Sequence, residues 1–139
     1  MQGYFANPEA TAAVVRSDGW VDTGDLGYLS NGDLFITGRA KDVIIAGGRN
    51  IYPQEVEEAV AEVPGVRRGC VAAFGVEDAR TGTERLVVVG ETRATPPPPG
   101  SPLHTAVTTI IVETIGVPAD VVVFVRAGSI PKTSSGKIR

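Results

Sequence analysis

At 139 residues, with 42% apolar and 21% charged side chains, the chain has ordinary globular composition and enough length for one sizeable core plus an appendage. Its 13 Lys and Arg against 16 Asp and Glu give a net charge of −3, too little positive field for nucleic acid or an anionic membrane to be a primary partner. One cysteine, Cys70, and one histidine, His104, exclude an internal disulfide and a structural zinc set.

The first residues, Met1-Gln2-Gly3-Tyr4-Phe5-Ala6, lack the basic and apolar regions of a signal peptide, and no apolar run approaches the ~20 residues of a membrane span. The expectation is a cytoplasmic chain without a transmembrane segment. Asn7-Pro8-Glu9 supplies an N-cap, Pro in the first helical position and an acid in the first turn, so a short helix follows. Residues 19–29 and 31–38 read as two extended runs joined at Asn31-Gly32, the strongest short hairpin signal. A helix and a hairpin cannot enclose a core, so residues 1–38 are expected to belong to something larger.

After Gly38 the pattern changes period. Val43-Ile44-Ile45 reads as a buried strand, and residues 53–63 as a helix whose Val56, Ala59, Val60 and Val63 oppose a solvent-facing row of Glu. Residues 70–74 and 86–89 read as strands joined through a turn-rich segment, 77–83. Thr95 to Gly100 is a polyproline-like spacer. Ser101 and Pro102 then start a helix running to Ile115, with Leu103, Val107, Ile110, Ile111 and Thr114 on one face and Gly116 stopping it. Residues 121–125 form the last strand. The fold class is therefore α+β: a split β-α-β-β-α-β sheet with both helices on one face, preceded by a helix and a β-hairpin. Beyond it, residues 130–139 read as an exposed, mobile tail in which small polar residues bracket Lys137.

Several residues could carry chemistry. Ser135-Gly136-Lys137 is not a phosphate-cradling P-loop, because Pro131 occupies the position of its first Gly and Ile138 that of its magnesium-binding hydroxyl. What remains is an ammonium on a Gly-flanked segment, suited to delivery into an anionic site. Asp25 lies at a tight turn, where its carboxylate either accepts paired hydroxyls such as those of a ribose or bonds its own turn backbone. Taken singly, Arg39 and Lys41 read as solvated turn residues and Gly47-Gly48 as a hairpin turn. Cys70 is a buried structural thiol, and His104 a solvated residue of the first helical turn.

In combination these residues say more. Gly19-Trp20 through Thr23-Gly24-Asp25-Leu26-Gly27, then Gly38-Arg39-Ala40-Lys41-Asp42, then Gly47-Gly48-Arg49-Asn50-Ile51-Tyr52-Pro53-Gln54-Glu55, and finally Pro131-Lys132-Thr133-Ser134-Ser135-Gly136-Lys137 resemble, in order and spacing, the adenylate-forming superfamily. It includes acyl-CoA synthetases, fatty acyl-AMP ligases, adenylation domains and luciferases. The resemblance implies that residues 1–38 are the end of a large adenylating domain, and that 39–139 are its C-terminal lid. The phosphate loop, the acyl pocket and the magnesium-binding Glu would lie in the large domain, so this chain supplies no metal ligand and is expected to be inactive alone.

By position, the resemblance makes Asp25 the ribose-binding carboxylate, Arg39 a second nucleotide contact and Lys41 the hinge. Lys137 becomes the catalytic lysine between the substrate carboxylate and the α-phosphate. Gly47 and Gly48 would border the path of a phosphopantetheine arm. The implied reaction activates a carboxylic acid, a fatty acid being the favoured class, with ATP and Mg2+, and passes the acyl group to CoA. Arg49 and Glu84-Arg85-Leu86-Val87-Val88-Val89 depart toward fatty acyl-AMP ligases, which implies a carrier-protein thiol as the alternative acceptor. A rival from another class is a free-standing ligand- or protein-binding module.

Overall fold

In the computed structural model, residues 2–79, 82–134 and 136–138 are described; the turn residues Arg80 and Thr81 and the motif residue Ser135 lie outside them. The chain divides into two compact units, Met1–Lys41 and Asp42–Arg139.

In the first unit, Asn7 caps α1 (Pro8–Val14) by accepting the Ala10 amide, as the sequence predicts. β1 (Asp25–Ser30) and β2 (Asp33–Arg39) pair antiparallel around Asn31-Gly32. The first extended run is shorter than expected: residues 19–24 form no strand, because the Asp22 and Thr23 side chains accept the Gly24 and Asp25 amides and turn the backbone there. Tyr28 and Phe35 stack at 5.2 Å, yet Leu29, Leu34, Phe35 and Ile36 remain exposed, and no described residue of this unit is buried.

The second unit has a true core. β5 (Val66–Asp78), β6 (Thr83–Thr92) and β7 (Val121–Arg126) form a sheet in the order β5-β6-β7, antiparallel then parallel. α2 (Pro53–Ala61) and α3 (Pro102–Ile115) contribute Val56, Val60, Val107 and Ile111, which pack against Val71, Ala73, Leu86, Val88 and Phe124. That side chain set alternates along the strands, as one face of a pleated sheet must. α3 keeps its expected bounds, with Ser101 accepting the His104 amide; Thr114, however, is exposed and bonds the Ile110 carbonyl. His104 is half-buried, edge-on to Phe124, because the first turn of α3 lies over β7.

The α+β class stands, but the first strand of the expected split unit does not enter the sheet. β3 (Ile44–Ala46) instead pairs with β4 (Arg49–Ile51) in a tight hairpin, with Ile44 and Ile51 buried and Ile45 exposed. The Ile45 amide that a sheet neighbour would have taken goes to the Glu84 carboxylate, at 2.6 Å. α2 ends two residues early, and Glu57 on its outer row is half-buried, accepting the Ala73 amide on the edge strand β5. Among the described residues, no helix is long and apolar enough to cross a membrane.

Candidate functional site

Register places the first pair of candidate residues. A two-residue Asn31-Gly32 turn pairs Ser30 with Asp33, and continuing that ladder would set Asp25 opposite Gly38. A bulge between Leu26 and Gly27 shifts the register, leaving Thr37 as the extra residue and Asp25 opposite Arg39. Thr37 stitches the bulge by donating to the Leu26 carbonyl at 3.3 Å. Gly27 permits it: a Cβ there would sit 2.7 Å from the Phe35 carbonyl oxygen.

The outcome is an ion pair, Arg39 Nε donating to Asp25 Oδ1 at 3.3 Å, with both side chains partly exposed. Asp25 does not bond its own turn; Asp22 and Thr23 perform that task and leave its carboxylate available. Beside the pair lies a cleft of about 680 Å3 whose lining includes Tyr4, Val21, Asp25, Arg39 and Lys41. Lys41 sits in a single 3-10 turn, Ala40–Asp42, and the two units divide after it. The structure thus brings Asp25, Arg39 and Lys41 together around one cleft.

The remaining candidates belong to the second unit. Gly47 and Gly48 form the β3–β4 turn with φ of +58° and +74°, both in the left-handed region that a tight hairpin of this type demands. No atom lies within 4 Å of a Cβ built on either, so their backbone faces open space. Arg49 runs back from the turn to the carbonyl end of α3, donating to the Ile115 oxygen at 3.2 Å. There the guanidinium meets the negative end of the helix dipole and ties the turn to a rigid element.

Lys137 is exposed, as expected of a tail residue, but its segment is not exposed throughout and is not without structure. Ile130 is buried, and Lys132 pairs with Ile138 across a small loop. Thr133 closes that loop: its amide donates to the Lys137 carbonyl at 2.8 Å, and its hydroxyl accepts the Lys137 amide at 3.1 Å. The backbone of the lysine is held while its ammonium stays in solvent. Between the base of the tail and the sheet lies an apolar cleft of about 450 Å3 lined by Phe74, Val89, Val125, Ile130 and Pro131.

Sequence reasoning missed Glu91, a carboxylate only 1% exposed at the end of β6. Its Oε1 accepts the Ile130 amide and its Oε2 accepts Arg67 Nη1, each at 2.8 Å, and the Gly128 amide and the Cys70 thiol lie near enough to favour its charged form. Burial alone would push this carboxyl up; the two amides, the guanidinium and the thiol outweigh it and hold it at about 2. Cys70 is buried, as expected of a structural thiol. The available signal was a lone acid closing the run Leu86-Val87-Val88-Val89-Gly90. At Glu57, by contrast, burial raises the carboxyl, helped by neighbouring Glu58 and opposed by the Ala73 amide.

A family model described as the AMP-binding enzyme C-terminal domain matches residues 55–137. A Caulobacter vibrioides protein described as an acyl-CoA synthetase is 44% identical over 139 residues, covering 99% of this chain and 24% of its own length. The long-chain-fatty-acid–AMP ligase of Mycolicibacterium smegmatis is 38% identical over 157 residues, covering 95% of this chain and 24% of that protein. Among solved structures, that of McyG A-PCP complexed with phenylalanyl-adenylate matches with a TM-score of 0.85 at 35% identity, over 99% of this chain and 21% of the other. The chain spans about a quarter of the length of the curated relatives it matches.

Proposed function

The chain belongs to the AMP-binding enzyme C-terminal domain family, and from that premise we propose that it is the C-terminal part of an AMP-forming acid–thiol ligase. Residues 1–38 complete a large adenylating domain, and 39–139 are the lid that turns about Lys41. A cytoplasmic setting is part of this reading. The exposed apolar row on β1 and β2, Leu29, Leu34 and Ile36, supports the assignment of residues 1–38 to a larger domain, since that hairpin has side chains to bury and no core of its own.

The observation that carries the proposal is the presentation of Lys137, whose backbone Thr133 fixes while its ammonium is exposed. A carboxylate attacking the α-phosphorus of ATP brings anions together, and a positioned cation lowers that cost most as charge builds in the transition state. Lys137 supplies the cation. Asp25 accepts the ribose hydroxyls, and Arg39, already at its side, steadies that carboxylate and reaches the nucleotide. In this reading the ligands of the Mg2+ of MgATP belong to the large domain. After rotation, the side-chain-free edge at Gly47-Gly48 admits a phosphopantetheine arm close to the backbone.

The substrate in this reading is a fatty acid and the acceptor CoA. A second acceptor, a carrier-protein thiol, is favoured by the similarity to the mycobacterial fatty-acid–AMP ligase. The test takes the complete protein with ATP and a panel of carboxylic acids, and follows pyrophosphate release before offering CoA or a phosphopantetheinylated carrier. Release with fatty acids, followed by acyl-CoA, is expected; acyl transfer only to the carrier selects the second acceptor. Absence of pyrophosphate release with every acid would overturn the ligase reading.

A further inference from the structure

The residue that nothing in the proposed reaction yet uses is Glu91. The pleat of β6 puts Leu86 and Val88 on the helix-covered face, and therefore Val87, Val89 and Glu91 on the other. A charged side chain ending an apolar row would be costly there unless it were paired and hydrogen-bonded. It is both. A slip in the β5–β6 register between Val66 and Val71 re-aims that stretch, so that Arg67 and Cys70 both reach the carboxylate. The other donors come from the chain just beyond β7, where the Ser129 amide closes a turn onto the Arg126 carbonyl and the Gly128 and Ile130 amides converge on the same group. With the Ile130 amide on one oxygen and Arg67 on the other, the carboxylate is placed to hold the segment beyond β7.

What it holds is the root of the tail. Ile130 precedes the loop that Thr133 closes onto Lys137, so the two fastenings act in series: Glu91 fixes where the segment leaves the sheet, and Thr133 fixes the lysine within it. We propose that Glu91, with Arg67 as its clamp, is a positioning residue that sets the reach of Lys137 by anchoring the Gly128 and Ile130 amides. The proposal rests on the reading of Lys137 as the catalytic lysine.

The experiment compares Glu91→Gln, Arg67→Ala and Lys137→Ala in the complete protein, timing acyl-adenylate formation and acyl transfer from preformed acyl-adenylate separately. Limited trypsin cleavage after Lys132 is followed alongside, well below the unfolding temperature. Glu91→Gln puts an amide N–H2 among donors, and is expected to slow adenylation about tenfold, with transfer unchanged within about twofold. Tail cleavage should accelerate by about tenfold, and Arg67→Ala should move both readouts the same way by less. Wild-type adenylation and cleavage in Glu91→Gln would overturn the proposal, as would equal losses in both half-reactions that track thermal stability. Should Glu91→Gln fail to fold, Arg67→Ala decides by the same two readouts. If Lys137→Ala leaves adenylation untouched, the reading of the lysine fails, while the cleavage assay still judges the anchor.

Discussion

Among the carboxylate–guanidinium pairs of the described residues, Arg39–Asp25 and Arg67–Glu91 look alike on paper and differ in distance, burial and partners. Arg39 and Asp25 meet at 3.3 Å with side chains 52% and 37% exposed, beside an open cleft. Arg67 and Glu91 meet at 2.8 Å with the carboxylate enclosed and two backbone amides on it as well. In water, an ion pair contributes little and can be exchanged for a ligand; in a core, the same carboxylate is unaffordable unless permanently satisfied. Solvent decides which pair can serve binding and which can only serve architecture.

The comparison breaks most visibly under truncation. Glu91→Ala strands the Gly128 and Ile130 amides and is expected to cost about 2–4 kcal/mol, lowering the Tm of the second unit by about 10 °C or more. Asp25→Ala should change stability by less than about 0.5 kcal/mol, so its effect is expected in nucleotide affinity instead. Thermal unfolding of the two variants, with nucleotide titration of the second, checks both halves.

Acid sharpens the contrast. The folded-state value of Glu91 is about 2, depressed from its ordinary 4.5, so its contribution is complete above about 4.5 and disappears as pH falls toward 2. A pH series of Tm should lose that acid-side slope in Glu91→Gln. The smallest effect is expected at Glu57, where burial raises the carboxyl. Its neutral form is the one the fold favours, a contribution present below the ordinary carboxylate range and lost as pH rises through the raised value. Glu57→Gln keeps an acceptor for the Ala73 amide and removes that cost, so Tm at pH 7 should rise by about 1–2 °C.

Local signals and non-local geometry account for what the sequence discloses. α3 is legible to its bounds because Ser101, Pro102 and Gly116 act within one turn of where they stand. The hairpin of the first unit is announced by Asn31-Gly32, but the pairing of Asp25 with Arg39 depends on a bulge at Leu26 and Gly27 that no propensity marks. β4 is three residues of mixed polarity, and pairs because the glycines before it adopt a turn, not because of any alternation of its own. Asp25, Arg39, Lys41, Gly47, Gly48 and Lys137 stand out as candidates only through the resemblance; their individual spacing argues only for turns and solvent. Glu91 escaped because one of its donors is the amide of a residue 39 positions away, which carries no side-chain signature.

The most direct test of the account separates the two half-reactions in Lys137→Ala of the complete protein. Acyl-adenylate formation is expected to fall by about 10²–10³-fold, the typical loss for one preorganised charge contact, while transfer from preformed acyl-adenylate stays within about threefold of wild type. Equal losses in the two steps would contradict it.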